Sequence, residues 1–263
     1  MRKLLVLSVL SGLVLSVAFA GTAEAARIRL GVTSGPHTEI AEVVQGIAAE
    51  KGLEIEIVTF MDFVMPNIAL ADGDLDVNSM QHMPFLQAQM ESRGFRLTSI
   101  GYTVLMPMAV YSNRLNSMDE LRNGATVAIP NDPSNGGRAL LLLAHYGFIE
   151  LDPAAGIVPS VLDITANNLG LRFIELDAAL LPRALDDTDI AVINTNFALE
   201  AGLNPEADSL LLESRESPYV NVIVVREGEE GRPEFQILLD SYNNEEVRRF
   251  VAERFQGAIV TGW

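Results

Sequence analysis

Apolar residues in this chain switch repeatedly between strand-like runs and helical stripes. Residues 28–32 form a short apolar run, read as a strand. Ser34-Gly35-Pro36-His37 then makes a turn with proline at the first helical position. Ile40, Val43, Val44, Ile47 and Ala48 fall on one helical face, and Gly52 ends that helix. Residues 53–60 resume as a strand with Glu54 and Glu56 on one side. Pro66 and Gly73 bracket a helix, residues 75–77 predict a strand, and residues 84–92 a helix. Further on, Ser117-Met118-Asp119-Glu120 carries a capping-box signature. Residues 126–129, 171–174 and 190–193 each predict a strand followed by a polar turn and a helix. Residues 220–225 predict one more strand, and helices over 234–242 and 245–255 follow it.

Strict alternation of this kind predicts an α/β fold with largely parallel sheets. The extended stretch 97–112 exceeds the usual strand length of about 5–6 residues and predicts a crossing from one sheet to another. Residues 220–225 predict the return crossing. Residues 26–108 and 224–263 then form an outer lobe, with residues 109–223 as an inserted lobe. Ligands in open α/β sheets sit beyond the carboxyl ends of the strands, so two such lobes face their turns into one cleft.

Charge narrows the partners. A formal charge of −17 over 263 residues argues against nucleic acid and anionic membrane, which both select basic surfaces. The first 25 residues follow the secretory plan. Arg2 and Lys3 precede an apolar core over residues 4–17, and Ala23-Glu24-Ala25 or Ala18-Phe19-Ala20 offers the cleavage site. That core is shorter than the roughly 20 residues a spanning helix needs. Residues 1–25 are therefore expected to be a cleaved signal peptide and the product a soluble periplasmic protein. Cysteine is absent, so no thiolate is available for catalysis, metal binding or lipid attachment, and no lipid anchor is expected.

The segment Asn131-Asp132-Pro133-Ser134-Asn135-Gly136-Gly137-Arg138 joins a predicted strand to a leucine-rich helix. First-turn N–H groups without intrahelical partners favour an anion there. Arg138 adds a planar fork suited to carboxylate or phosphate, and the two glycines clear room for a ligand's polar end. The same residues also fit a plain α/β connection with Arg138 in a structural ion pair. Enzyme chemistry is thin. His37, His82 and His145 are the only histidines, with no nucleophile elbow, no zinc spacing and no phosphate-binding glycine motif, so no metal and no cofactor are expected. Uncharged amides cluster at strand ends instead, in Asn194-Thr195-Asn196, in Asn78-Ser79-Met80-Gln81-His82 and in Ser217-Pro218-Tyr219-Val220-Asn221. An amide both donates and accepts, which suits a zwitterion. Phe60, Phe63, Met65 and Met80 offer an apolar lining for a flexible side chain.

Many ordered stretches carry a resemblance. They include Gly31-Val32-Thr33-Ser34-Gly35-Pro36-His37, Phe60-Met61-Asp62-Phe63-Val64-Met65-Pro66-Asn67, Gln81-His82, the segment ending in Arg138, Ala191-Val192-Ile193-Asn194-Thr195-Asn196 and Glu216-Ser217-Pro218-Tyr219-Val220-Asn221. Through them nearly the whole chain after residue 25 resembles the NlpA-type methionine-binding proteins, the substrate-binding components of bacterial methionine ABC importers. The resemblance implies a two-lobed periplasmic-binding-protein fold, type 2-like, with two crossover strands and a ligand cleft between the lobes. It implies an amino-acid ligand, L-methionine first, with D-methionine or a methionine-containing dipeptide as alternatives, and an ABC-transporter permease as partner. Arg138 would hold the ligand carboxylate, Asn194 or Asn196 and Asn221 its polar groups, and Phe63, Met80 and His82 would line the side-chain pocket. On that reading Arg138→Ala removes affinity and leaves the fold intact. Family members typically carry a lipid-bearing cysteine at the signal junction, tyrosine at position 63 and an aromatic residue at position 80. This chain has no cysteine and carries Phe63 and Met80. A periplasmic enzyme working through His82, or a sensor using the same cleft, is the competing reading.

Overall fold

In the computed structural model, which describes residues 26–263, β1 (Ala26–Thr33), α1 (Pro36–Glu50), β2 (Leu53–Phe60), α2 (Met65–Asp72) and β3 (Val77–His82) begin the first lobe. The expected signal peptide, residues 1–25, lies outside the described residues. β1 pairs in parallel with both β2 and β3. α3 (Met83–Arg93) and β4 (Leu97–Leu105) follow.

The second lobe holds β5 (Ala109–Tyr111), β6 (Thr126–Pro130), α4 (Pro133–His145), the short pair β7 (Glu150–Leu151) and β8 (Ile164–Ala166), then β9 (Arg172–Leu176), α5 (Leu181–Ala184), β10 (Ile190–Ile193), α6 (Thr195–Glu200), α7 (Pro205–Asp208) and β11 (Leu211–Leu212). The chain then returns through β12 (Val220–Arg226), α8 (Pro233–Tyr242), α9 (Glu245–Phe255) and β13 (Val260–Thr261). The large sheet runs β13-β4-β12-β3-β1-β2 and the smaller one β11-β5-β10-β6-β9.

Four expectations change. The sheets are mixed rather than largely parallel, because strands arriving from the other lobe enter against the βαβ direction. β12 is antiparallel to β3 and β4, and β5 is antiparallel to β10. The return crossing comes earlier than residues 220–225. Val220, Val222 and Ile223 already pair with β4, so the crossing lies in residues 213–219 and the inserted segment stops short of residue 223. Residues 78–82 are strand rather than post-strand turn. β3 sits between β1 and β12 with all six residues buried, and its amides are satisfied internally. Asn67 Nδ2 donates to Gln81 Oε1 at 2.7 Å, and Asn78 Nδ2 donates to Asn67 Oδ1 at 2.9 Å. Lastly, the Ser117 box closes a single 3₁₀ turn, Met118–Glu120.

Each lobe has its own core, split by its sheet into two layers. Ile28, Leu30 and Val32 pack with Ile40, Val44 and Phe235 on one face of the large sheet, while Leu70, Leu86, Val222 and Val224 fill the other. In the smaller sheet Val127, Ile129 and Val192 meet Leu140 and Leu143 of α4, and Ala128, Ala191 and Ile193 meet Leu181 and Phe197. This is strand alternation expressed as two buried layers.

The glycines of α4 serve that packing and not a ligand. A Cβ on Gly136 would lie 2.8 Å from the Pro130 carbonyl oxygen, and one on Gly137 would lie 3.0 Å from that of Pro159. Neither glycine lines the central cavity. Gly136→Ala would gain up to about 1 kcal/mol of helix propensity but force a methyl against backbone, an overpacking cost of about 1–3 kcal/mol. We expect a lower urea midpoint for this variant. A midpoint at or above that of the wild type would show that β6 and α4 can part freely.

Candidate functional site

The lobes face each other across a cavity with about 350 Å³ of atom-free space, part of it open to solvent. His37 at the start of α1, Phe63 in the β2–α2 loop, Met80 and His82 on β3, and Asn221 on β12 line it from the first lobe. Asn135 and Arg138 on α4, and Asn194, Thr195 and Asn196 around the start of α6, line it from the second. All seven residues singled out in the sequence (Phe63, Met80, His82, Arg138, Asn194, Asn196 and Asn221) come together here. Phe60 and Met65 do not. Phe60 packs on the layer containing Leu70 and Leu75, and Met65 is exposed on α2.

The N-terminus of α4 is not an open anion cradle. Asp132 caps it, its carboxylate accepting the Asn135 N–H at 2.8 Å and both oxygens accepting from Asn135 Nδ2. A carboxyl group built into the chain already occupies the positive end of this helix; burial raises its pKa, and the Asn135 hydrogen bonds work against that rise. That cap also fixes which way the Asn135 amide points. Its Oδ1 faces the cavity side, where it meets Asn194 Nδ2 at 2.9 Å and His82 Nε2 at 3.2 Å. Asn194 therefore presents its own Oδ1, a buried acceptor with no partner, and Asn196 presents a buried Nδ2 donor with none. Buried polar atoms left over in this way are rare and call for a partner. An unpartnered acceptor and donor on one wall match the ammonium and carboxylate of a zwitterion.

Arg138 is 3% exposed and already engaged. Its Nε and Nη2 fork onto the Glu213 carboxylate at 2.9 and 2.5 Å, and Nη2 also donates to the Met106 carbonyl at 2.9 Å. The guanidinium lies 4.4 Å over the Tyr219 ring. Both alternatives for Arg138 are thus present at once, a structural ion pair and a place on the cavity wall. Met106 and Glu213–Tyr219 belong to the two crossing segments, so this one side chain touches both.

Both cavity histidines are held neutral. Burial is the first cause in each. It lowers His37 to about 4, and burial plus the nearby Arg138 charge lowers His82 to about 3. His82 Nδ1 accepts the Phe85 N–H at 3.2 Å, which makes Nε2 the donor to Asn135. His37 Nε2 takes the Asn221 amide at 2.9 Å, and its Nδ1 meets Thr33 Oγ1 at 2.8 Å. All four ring nitrogens have hydrogen-bond partners within the protein.

The cleft is closed. Phe63 of the first lobe stacks 4.9 Å from Phe197 of the second, Ser34 donates to Glu200 at 2.8 Å, and His82 reaches Asn135. Among the described residues no three His, Asp or Glu side chains gather as a metal ligand set, and no helix is long and apolar enough to cross a membrane. Reading the sequence missed His37, Asn135, Tyr219 and Glu213. The Asp132-x-x-Asn135 spacing was a visible cap signal for one of them. Nothing local links Glu213 to an arginine 75 positions away.

Known proteins are similar to this chain in sequence and fold. The family model described as NlpA lipoprotein matches residues 28–263. The D-methionine-binding lipoprotein MetQ of Escherichia coli is 45% identical over 239 residues, covering 90% of this chain and 88% of MetQ. A nutrient-binding protein from Burkholderia cenocepacia, solved bound to methionine, is 45% identical with a TM-score of 0.88, covering 90% of this chain and all of that one. An ABC-transporter periplasmic substrate-binding protein from Coxiella burnetii is 42% identical with a TM-score of 0.87, covering 89% of this chain and all of the other. With its mixed-sheet lobes closed over one cavity, the chain belongs to the NlpA lipoprotein family.

Proposed function

We propose that this protein is the solute-binding component of an ABC importer, closing on methionine and presenting it to a permease. The observation that carries the reading is an interlobe cavity whose wall combines the unpartnered Asn194 Oδ1 and Asn196 Nδ2 with the Arg138 guanidinium. The rest of the lining is suited to a thioether chain, with Phe63, Met80, Phe85 and Met106 around it. The relatives that carry methionine in their names or structures support the same ligand. In this reading Arg138 and Asn196 take the carboxylate, Asn194 and Asn221 take the ammonium, and residues 26–105 with 220–263 move as one lobe against the other. Closure is a population shift driven by contacts from both lobes. We further propose a non-catalytic role, because both cavity histidines spend their nitrogens on fixed partners. Release into the periplasm without a lipid is part of the same proposal, since the sequence offers no cysteine to acylate.

Protein unfolded and refolded to strip bound solute should melt higher with methionine. At a hundredfold excess over Kd the gain is about 2.7 kcal/mol. A panel of amino acids, D-methionine and dipeptides read in the same assay ranks the ligands, and no shift with any of them would sink the proposal.

Arg138→Ala should do more than abolish that shift. It leaves Glu213 buried without its counter-charge, a loss of about 3–5 kcal/mol, so the expectation of an intact fold is replaced by one of a lower melting temperature. Asn221→Ala should lose the ligand shift while keeping most of the stability. Wild-type affinity in both variants would move the site elsewhere.

Acid should weaken the fold through the same histidines. Unfolding frees His37 and His82 to titrate near 6.5, while the folded rings resist protons down to about 4 and about 3. Between those values the unfolded chain binds more protons, so stability falls as pH drops from 6.5 towards 4. The melting temperature should follow, and the His37→Gln/His82→Gln pair should flatten the slope. An unchanged slope in that pair would assign the acid loss to carboxylates.

A further inference from the structure

Glu213 lines no part of the cavity; it stands behind Arg138. Its position follows from strand register. Leu212 of β11 pairs with Ala109 of β5, and the next residue, Glu213, donates its N–H to the Met108 carbonyl at 2.9 Å. Its Oε2 accepts the Met108 N–H at 3.1 Å in return. Anchored to the first crossing segment in this way, the carboxylate takes the Nε and Nη2 edge of Arg138. Nη2 has a further acceptor in Met106. Nη1 is then the guanidinium nitrogen left for the cavity.

The pairing also fixes charge. Glu213, with a side chain 12% exposed, cancels the charge of Arg138, exposed by 3%. His37 and His82 add none, since their rings are neutral. Tyr219, stacked on Arg138, is an unionised phenol whose acidity burial weakens further. The Arg138–Glu213 unit therefore adds no net charge to the cavity wall. A ligand bringing a carboxylate and its own ammonium adds none either. A ligand bringing the carboxylate alone leaves one buried charge uncompensated, which a low-dielectric site penalises.

We propose that Glu213 is a positioning residue that sets the ligand class, orienting Arg138 and restricting the cavity to carboxylates that carry their own cation. The inference rests on the reading of this cavity as a methionine site. It concerns the charge rule of that site and not the side-chain pocket.

The test compares L-methionine with its 2-hydroxy analogue, which keeps the carboxylate and thioether but has no ammonium. Dissociation constants are measured for the refolded wild type, Glu213→Gln and Glu213→Asp. The wild type should prefer methionine by about a hundredfold or more. Glu213→Gln, with the arginine charge now unmatched, should bind methionine more weakly and narrow that preference by about tenfold or more. Glu213→Asp should keep the preference. Equal losses for both ligands in Glu213→Gln, with the preference unchanged, would make Glu213 a purely structural support and overturn the proposal. Should the Gln variant fail to fold, Glu213→Asp is read in its place, and a preference lost there although the carboxylate remains overturns the proposal. A wild type that binds neither compound overturns the methionine reading itself, which separates that failure from one confined to Glu213.

Discussion

The buried ion pair between Arg138 and Glu213 ties α4 to both segments that link the lobes. Arg138 belongs to the second lobe through α4, yet it also holds the Met106 carbonyl, the Glu213 carboxylate and the face of Tyr219. Those three partners lie on the two segments that link the lobes. A buried pair of this kind is poor evidence for stability taken alone, because desolvation consumes most of its attraction. Its value lies in geometry. It ties one wall of the interlobe cavity to the two segments that link the lobes, so the orientation of Arg138 and the path of those segments are held by the same contacts.

Much of the fold was legible in the sequence because apolar periodicity reports burial directly. β2 and α9 fall where the pattern puts them, at Leu53–Phe60 and Glu245–Phe255. The pattern fails where burial is polar. β3 reads as a turn because Asn78, Ser79, Gln81 and His82 are polar, yet a ring of amides with Asn67 lets them lie in the centre of the sheet. The crossing into β12 was misplaced because a continuous apolar run does not mark where its first partner strand begins.

The candidate site was legible as a set of lining residues and illegible as a circuit. Residue type and position after a strand suffice to gather Arg138, Asn194, Asn196 and Asn221. They do not tell that the anion site at α4 is filled by Asp132, or that Gly136 and Gly137 serve close packing. Nor do they reveal the carboxylate that neutralises Arg138, since that contact depends on the pairing of two short strands, β5 and β11. Charge balance in a cavity is a tertiary property, and it was absent from any window of the chain.

The Asp132–Asn135–Asn194 relay runs in one direction. As a carboxylate Asp132 can only accept, so Asn135 donates to it and accepts from Asn194, and the cavity inherits an acceptor at Asn194 Oδ1. A hydrogen-bond donor at position 132 would favour the reverse orientation of both amides, which turns that acceptor into a donor with every wall residue unchanged, provided the His82 ring also changes tautomer, since its Nε2–H now donates to Asn135 Oδ1. Two proteins can therefore share an identical ligand-lining sequence and still present opposite polarity to what they enclose. Divergence in ligand choice within such a fold has a path that a comparison of lining residues does not detect.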